Sequence, residues 1–283
     1  MIRIRELRAE DWPAVEAIYA EGIATRNATF ETETPTWAEF DAGRLHDHRL
    51  VAVDGDRIVG WAAFSPTSGR ACYGTLVDWN GGIRAEFEDL FGVRRADELL
   101  VRYHELEPQI QVSKPGVSYR EVLTIALERL AAETGLTLPE GEASALARSL
   151  PSWPVFDDVH PGLTEARSRG WKLGILSNTD RDLIDASLET IDVPFDAIVV
   201  AGEIGSYKPA HRHWEVFYAQ TGADSAAHVH VAQSLFHDIA PAGELGIPSI
   251  WINRLGEPED ARPTRTLSDV AELASALDEL VPA

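Results

Sequence analysis

A hydroxyl, a carboxamide, an ammonium and a carboxylate fall at comparable places along the C-terminal part of this chain. Ser177 and Asn178 close the apolar run Lys172 to Leu176, Lys208 comes after the run Ala197 to Val200, and Asp238 comes after the run His228 to Val231. In an open α/β sheet, ligands bind in the crevice outside the carboxyl ends of the strands, so these side chains are placed to meet in one small-molecule site. Each alone has a plainer reading, since a Ser-Asn pair after a strand caps a helix and a Lys-Pro pair makes a solvated turn.

The elements that must position these residues can be read from periodicity. The three apolar runs alternate with helical stretches, and Ile250-Trp251-Ile252 adds a fourth run, so the expected fold is α/β with a doubly wound parallel sheet. Between about 84 and 155 the pattern is helical. Val122, Ile125, Ala126, Leu127 and Leu130 are spaced for one buried face, which predicts a helical cap inserted before the sheet strands. Towards the N-terminus, a short strand from Ile2 to Leu7 precedes a helix opened by Ala9-Glu10-Asp11, with Val15, Ile18 and Tyr19 at helical spacing. The runs Leu50 to Val53 and Ile58 to Phe64 flank Asp54-Gly55-Asp56, which predicts an antiparallel hairpin. The acidic stretch Ser268 to Leu280 reads as a helix covering the sheet.

Composition limits the function classes. With 283 residues, 45% of them apolar, the chain can bury two cores or one core with a large insertion. No run approaches the roughly 18 apolar residues that span a bilayer, and Met1-Ile2-Arg3-Ile4-Arg5 lacks the apolar centre of a secretory signal, so a cytoplasmic protein without a membrane partner is expected. The single cysteine, Cys72, excludes an internal disulfide and any multi-cysteine zinc site. A formal charge of -21 without a Lys/Arg run argues against nucleic acid as a partner and leaves small-molecule chemistry. A homodimer is compatible with the sequence and not demanded by it.

The segment Ala71-Cys72-Tyr73-Gly74-Thr75-Leu76-Val77-Asp78, followed by the helical insertion, resembles the first motif of the haloacid dehalogenase superfamily, in which an aspartate opens a D-x-x-G-T loop. The other three motifs come in family order: Ile175-Leu176-Ser177-Asn178-Thr179, then Ser206-Tyr207-Lys208-Pro209, then Ala232-Gln233-Ser234-Leu235-Phe236-His237-Asp238. The D-x-Y-G-T variant and the helical cap resemble the metal-independent 2-haloacid dehalogenase branch. The resemblance implies covalent catalysis: an aspartate attacks the substrate and water hydrolyses the ester. It further implies that Thr75, Ser177 and Asn178 hold a substrate carboxylate or phosphate, that Lys208 offsets charge at the reacting centre, and that Asp238 orients Lys208 or the attacking water. Tyr73 would line the pocket, and Arg102, in a stretch that weakly resembles the branch's substrate-facing arginine, would contact a small acidic or halogenated acid.

The sequence departs from this pattern at identifiable places. Ala71 stands where the nucleophilic aspartate belongs; a methyl group cannot attack, so covalent catalysis should fail by many orders of magnitude. The superfamily's phosphatases carry a second aspartate where Tyr73 stands and an acid where Gln233 stands, so two hard oxygen ligands are lost and magnesium is not expected. The dehalogenase branch has Ser and Asn where Gln233 and Leu235 stand, and Tyr where Trp214 stands. Residues 65–70 read Ser-Pro-Thr-Ser-Gly-Arg, where an apolar central strand should precede the first motif.

Residues 1–71 resemble the first half of the phosphinothricin-type N-acetyltransferases in Ile2-Arg3-Ile4-Arg5, Ile18-Tyr19, Asn27-Ala28-Thr29-Phe30-Glu31 and Ile58-Val59-Gly60-Trp61-Ala62-Ala63-Phe64-Ser65-Pro66. That family grips the pyrophosphate of acetyl-CoA with a later glycine-rich loop at a helix start, which this sequence lacks, so no acetyl-CoA is expected. The combined expectation is a truncated acetyltransferase-like segment over 1–71 fused to a haloacid-dehalogenase-like domain over 72–283, the hairpin either replacing the missing central strand or leaving the sheet one strand short. The function expected from the resemblance is a hydrolase impaired at its nucleophile, with an inactive small-anion-binding module as the alternative and an N-acetyltransferase as the least favoured reading.

Overall fold

The computed structural model describes residues 2–25, 34–42, 49–55, 57–63, 72–258 and 261–281. Packing divides the chain into two compact units, Met1–Pro66 and Thr67–Ala283.

In the N-terminal unit, β1 (Ile2–Glu6), α1 (Trp12–Thr25), α2 (Trp37–Ala42), β2 (Arg49–Asp54) and β3 (Arg57–Ala63) build a three-stranded antiparallel sheet of order β1-β2-β3 with two helices. The hairpin forms where the sequence predicts it. Gly55 takes a left-handed turn conformation at φ 62°, which L side chains adopt at a cost. Strand alternation buries Val51 and Val53 against Trp12, Val15 and Tyr19 of α1 and Phe40 of α2. The Asp11 carboxylate accepts two hydrogen bonds from the Arg5 guanidinium, at 2.6 and 2.8 Å, and one from the Arg8 amide at 2.8 Å, tying β1 to the start of the helix.

The second unit opens with a tight loop in which the Gly74 amide donates to the Val77 carbonyl at 2.7 Å, Gly74 lying at φ 88°. Helices α3 (Trp79–Phe91), α4 (Val93–Ser113), α5 (Tyr119–Glu133) and α6 (Ala145–Ser149) follow. The helical insertion therefore begins at Trp79, five residues before the expected position, because the Asp78 carboxylate caps α3 by accepting from the Gly81 amide at 2.9 Å. A reciprocal Ser118/Glu121 cap starts α5. Leu99, Tyr103, Leu106 and Ile110 of α4 pack in one core with Val122, Leu123, Ala126, Leu127 and Leu130 of α5. Ile125, expected on the buried face, is half-buried, and Leu123 takes the fully buried place.

Beyond the cap come α7 (Val159–Ser168), β4 (Gly174–Ser177), α8 (Arg181–Ile191), β5 (Ala197–Val200), α9 (Ala201–Ile204), α10 (Arg212–Thr221), β6 (His230–Ala232), α11 (Ala240–Glu244), β7 (Ser249–Ile252), β8 (Arg265–Leu267) and α12 (Leu273–Leu280). All the strand pairs here are parallel, with Ile175 opposite Ile198, Val231 opposite Ile250 and Trp251 opposite Thr266. Two strands start later than their apolar runs suggest. Leu173 spends its amide on the Asp196 carboxylate at 2.8 Å, and the ladder of β6 opens only at the His230 amide, which donates to the Pro248 carbonyl at 2.8 Å. Strand β8 is three residues long and gave no sequence signal.

The parallel strands form two ladders among the described residues, β4-β5 and β6-β7-β8. Among the described residues no strand joins β4 to β6, and a largely apolar cavity of about 920 Å³ is lined by Ile175 and Leu176 from one side, Val229 and Val231 from the other, and Leu273 and Leu277 of α12. Backbone direction alternates along a strand, and Leu173 and His230 turn theirs towards β5 and β7. Gly174, Leu176, Val229 and Val231 therefore turn theirs towards this gap. Within the N-terminal unit, β2 pairs with β1 and β3, and β3 pairs with β2 among the described residues. Residues 64–71, where the family's central strand is expected, lie outside the described residues.

Candidate active site

Four segments beyond strand ends bring the chemistry together. The side chain of Lys208 is buried at 1% exposure, and its ammonium donates to the Asp238 carboxylate (Oδ1) and to the Leu176 carbonyl, both at 2.6 Å. Asp238 sits in a π-helical turn, Leu235–Ile239, that follows β6, and its side chain is wholly buried. Two charges in such a place hold only if paired and hydrogen-bonded. Burial pushes the Asp238 carboxyl up, but Lys208 and His230 outweigh it and hold it below the ordinary carboxylate range. Burial lowers Lys208 against the opposing pull of Asp238.

Asn178 locks the main chain of Lys208. Its amide nitrogen donates to the Lys208 carbonyl at 3.0 Å and its carbonyl oxygen accepts from the Lys208 amide at 2.7 Å. The same nitrogen lies 3.3 Å from the Gln111 side-chain oxygen of α4, and the Gln111 amide donates to the buried Glu107 carboxylate at 2.5 Å. A polar relay thus runs from the cap helix to the lysine loop, through two residues that sequence reasoning did not single out. Their signal was their spacing, since Glu107 and Gln111 are i, i+4 neighbours on one helix face.

Thr75 lines the cavity. Its hydroxyl accepts from the Gln233 amide at 2.9 Å, and its carbonyl accepts from Arg254 Nε at 2.9 Å. Arg254 is fixed in turn by a two-point pair with Asp158, at 2.9 and 2.8 Å, and by stacking 3.9 Å from the Phe156 ring. Ser177 is buried, and its carbonyl lies 3.1 Å from His213 Nε2. The Tyr73 hydroxyl lies 3.3 Å from the Ser187 hydroxyl, and burial pushes its pKa up. The expected set of Thr75, Ser177, Lys208 and Asp238 lies at or beside the ends of the parallel strands, with Asn178 bound directly to Lys208. Arg102 does not join them: its guanidinium is committed to Glu133, at 2.9 and 2.6 Å, and to Glu105 at 2.5 Å. Ala71 lies outside the described residues.

The surroundings of the ion pair hold buried titratable groups. His230, at the start of β6, places Nε2 2.9 Å from the same Asp238 oxygen that Lys208 contacts. Burial, with the positive charge of Lys208 next, lowers His213 to about 3, and burial lowers His237 to about 4. Burial raises the Cys72 thiol to about 12 although Lys208 opposes it. Among the described residues no group of three His, Cys, Asp or Glu side chains is arranged to hold a metal ion, and no helix is long and apolar enough to cross a membrane.

The chain is similar to known proteins in sequence and fold. Residues 114–252 match the family model described as haloacid dehalogenase-like hydrolase. The (S)-2-haloacid dehalogenase of Pseudomonas sp. (strain YL) is 30% identical over 188 residues, which cover 65% of this chain and 81% of that protein. The (S)-2-haloacid dehalogenase of Pseudomonas putida is 24% identical over 212 residues, covering 72% of this chain and 93% of that one. Among solved structures, the L-2-haloacid dehalogenase RSc1362 superposes with a TM-score of 0.67 at 25% identity, covering 75% of this chain and all of the other. These matches and the parallel strands beneath the buried Lys208–Asp238 pair lead to one conclusion: the chain belongs to the haloacid dehalogenase-like hydrolases and is similar to their 2-haloacid dehalogenases.

Proposed function

We propose that the second unit is a metal-independent hydrolase scaffold for small 2-halogenated or otherwise acidic carboxylic acids. The observation that carries this reading is the buried Lys208–Asp238 pair, with Asn178 bridging the main chain of Lys208 at the ends of β4 and β5. In the two-step chemistry, a carboxylate attacks the halogen-bearing carbon and expels halide, and water then hydrolyses the ester. Lys208 would offset negative charge on the attacking and bound carboxylates, Thr75 and Ser177 would hold the substrate's acid group, Asn178 would join them by giving up its bond to Gln111, and Asp238 would orient water or Lys208. Tyr73 would close the pocket. Arg102 has the weakest claim, since two carboxylates already satisfy it.

Ala71 favours a second reading, in which the chain is an inactive module that still binds a small anion. Its own turnover is then expected to be near background. The β1-α1-α2-β2-β3 order of the N-terminal unit supports descent from an acetyltransferase half-domain; without the pyrophosphate-binding loop it would not transfer acetyl groups. Soluble expression in the cytoplasm, with magnesium and acetyl-CoA dispensable, is part of the same reading.

The deciding experiment is hydrolysis of 2-chloropropionate and p-nitrophenyl phosphate by the folded parent and by Ala71→Asp, with and without magnesium. Chloride release by Ala71→Asp alone supports a dehalogenase scaffold disabled at its nucleophile. Equal activity of the parent would show that the attacking carboxylate lies elsewhere. Inactivity of both, with stabilisation by chloride or lactate, would favour the anion-binding module.

A further inference from the structure

His230 has no counterpart in the motifs that define the site, yet it touches the buried carboxylate of Asp238. Its Nε2 lies 2.9 Å from Oδ1 of Asp238, the oxygen that also receives the Lys208 ammonium at 2.6 Å. A carboxylate has no proton to give, so the ring nitrogen is the donor. Oδ2 of the same carboxylate is buried and has no hydrogen-bond partner among the described residues. Leaving a charged group's acceptor unsatisfied in the interior is unfavourable, and a carboxylate free to rotate would share its donors between both oxygens. Here both donors hold one oxygen. The His230 ring is itself fixed, with the fully buried Trp214 ring 5.1 Å away, centroid to centroid, and its side chain is only 7% exposed. His230 also lines the cavity between β4 and β6, so it stands between that space and the ion pair.

We propose that His230 is a positioning residue of the site: together with Lys208 it pins Oδ1 of Asp238 and so leaves Oδ2 as the oxygen that accepts from a water or a substrate group. Only the identity of what Oδ2 meets rests on the hydrolase reading above. The titratable and charged groups around Asp238 are Lys208 from the loop before α10, His230 from β6, His213 from α10 and His237 on its own turn. Of these, Lys208 and His230 make its hydrogen bonds.

The test uses the full chain and two variants. His230→Phe keeps a ring against Trp214 and has no donor, whereas His230→Gln keeps an N–H that can reach the carboxylate. Urea unfolding is followed from pH 3 to pH 8. Losing a hydrogen bond to a buried charge should move the acid loss of stability in His230→Phe up by about one to two pH units, and His230→Gln should follow the parent. A role in packing alone would displace the His230→Phe curve equally at every pH, and that result overturns the proposal. If His230→Phe does not fold, a folded His230→Gln with the parent's acid limb supports the donor role, and collapse of both overturns it. In the Ala71→Asp background, His230→Phe should lower kcat at least about tenfold with KM nearly unchanged. Absence of turnover in Ala71→Asp itself would sink the hydrolase reading while leaving the pH result to judge His230.

Discussion

Lys208 Nζ and Asp238 Oδ1 lie 2.6 Å apart, and neither side chain reaches solvent. Removing one partner strands a buried charge, so Asp238→Leu and Lys208→Met should each lower unfolding free energy by about 3–5 kcal/mol. The double variant Lys208→Met/Asp238→Leu should recover most of that loss, because no charge is then left unpaired. Urea denaturation of the four proteins forms a closed cycle, and additive losses in the double variant would mean that the two groups do not interact as a pair.

Acid should weaken the fold from just below neutrality. His213 and His228 sit at about 3 and His237 at about 4, all lowered first by burial, against an unfolded value near 6.5. These rings take up protons only on unfolding. Their contribution is therefore complete above about pH 6.5 and drains as the pH falls towards 4, with a combined slope of up to about 4 kcal/mol per pH unit near pH 5. Stability that stays flat between pH 7 and pH 5 would show that the three rings are solvated in the folded protein.

The gap between β4 and β6 offers room for added volume. Leu277 of α12 lines the cavity of about 920 Å³, so Leu277→Phe should fill part of it and raise stability by about 1 kcal/mol. A higher Tm with an unchanged denaturant slope is the expected result. A lower Tm would mean that the space is already occupied or too rigid to accept a ring.

Cys72 should be inert in the native protein. Its thiol is buried and its pKa is raised to about 12, so almost none is thiolate at pH 8. Modification by an aromatic disulfide reagent should proceed only in urea, at the rate of unfolding. Fast labelling without denaturant would place Cys72 at the surface.

Local pattern in the sequence was enough for the element types and for the residues at the strand ends. Alternation gave the hairpin of β2 and β3, helical spacing gave the cap face built on Val122, Ala126, Leu127 and Leu130, and four motifs in order gave Lys208, Asp238, Asn178 and Thr75. Helical and strand periods repeat every few residues, so a single stretch of chain contains them whole. The partners of those residues are not written locally. Asn178 reaches Gln111 across 67 positions and Lys208 reaches Asp238 across 30. Arg102 has the composition of a substrate ligand, but two cap carboxylates claim it once α4 and α5 pack together. The cavity lined by β4, β6 and α12 and the place of His230 on the Asp238 carboxylate are likewise properties of packing. A hydrogen bond depends on distances that only the folded chain sets, and no spacing along the sequence encodes them.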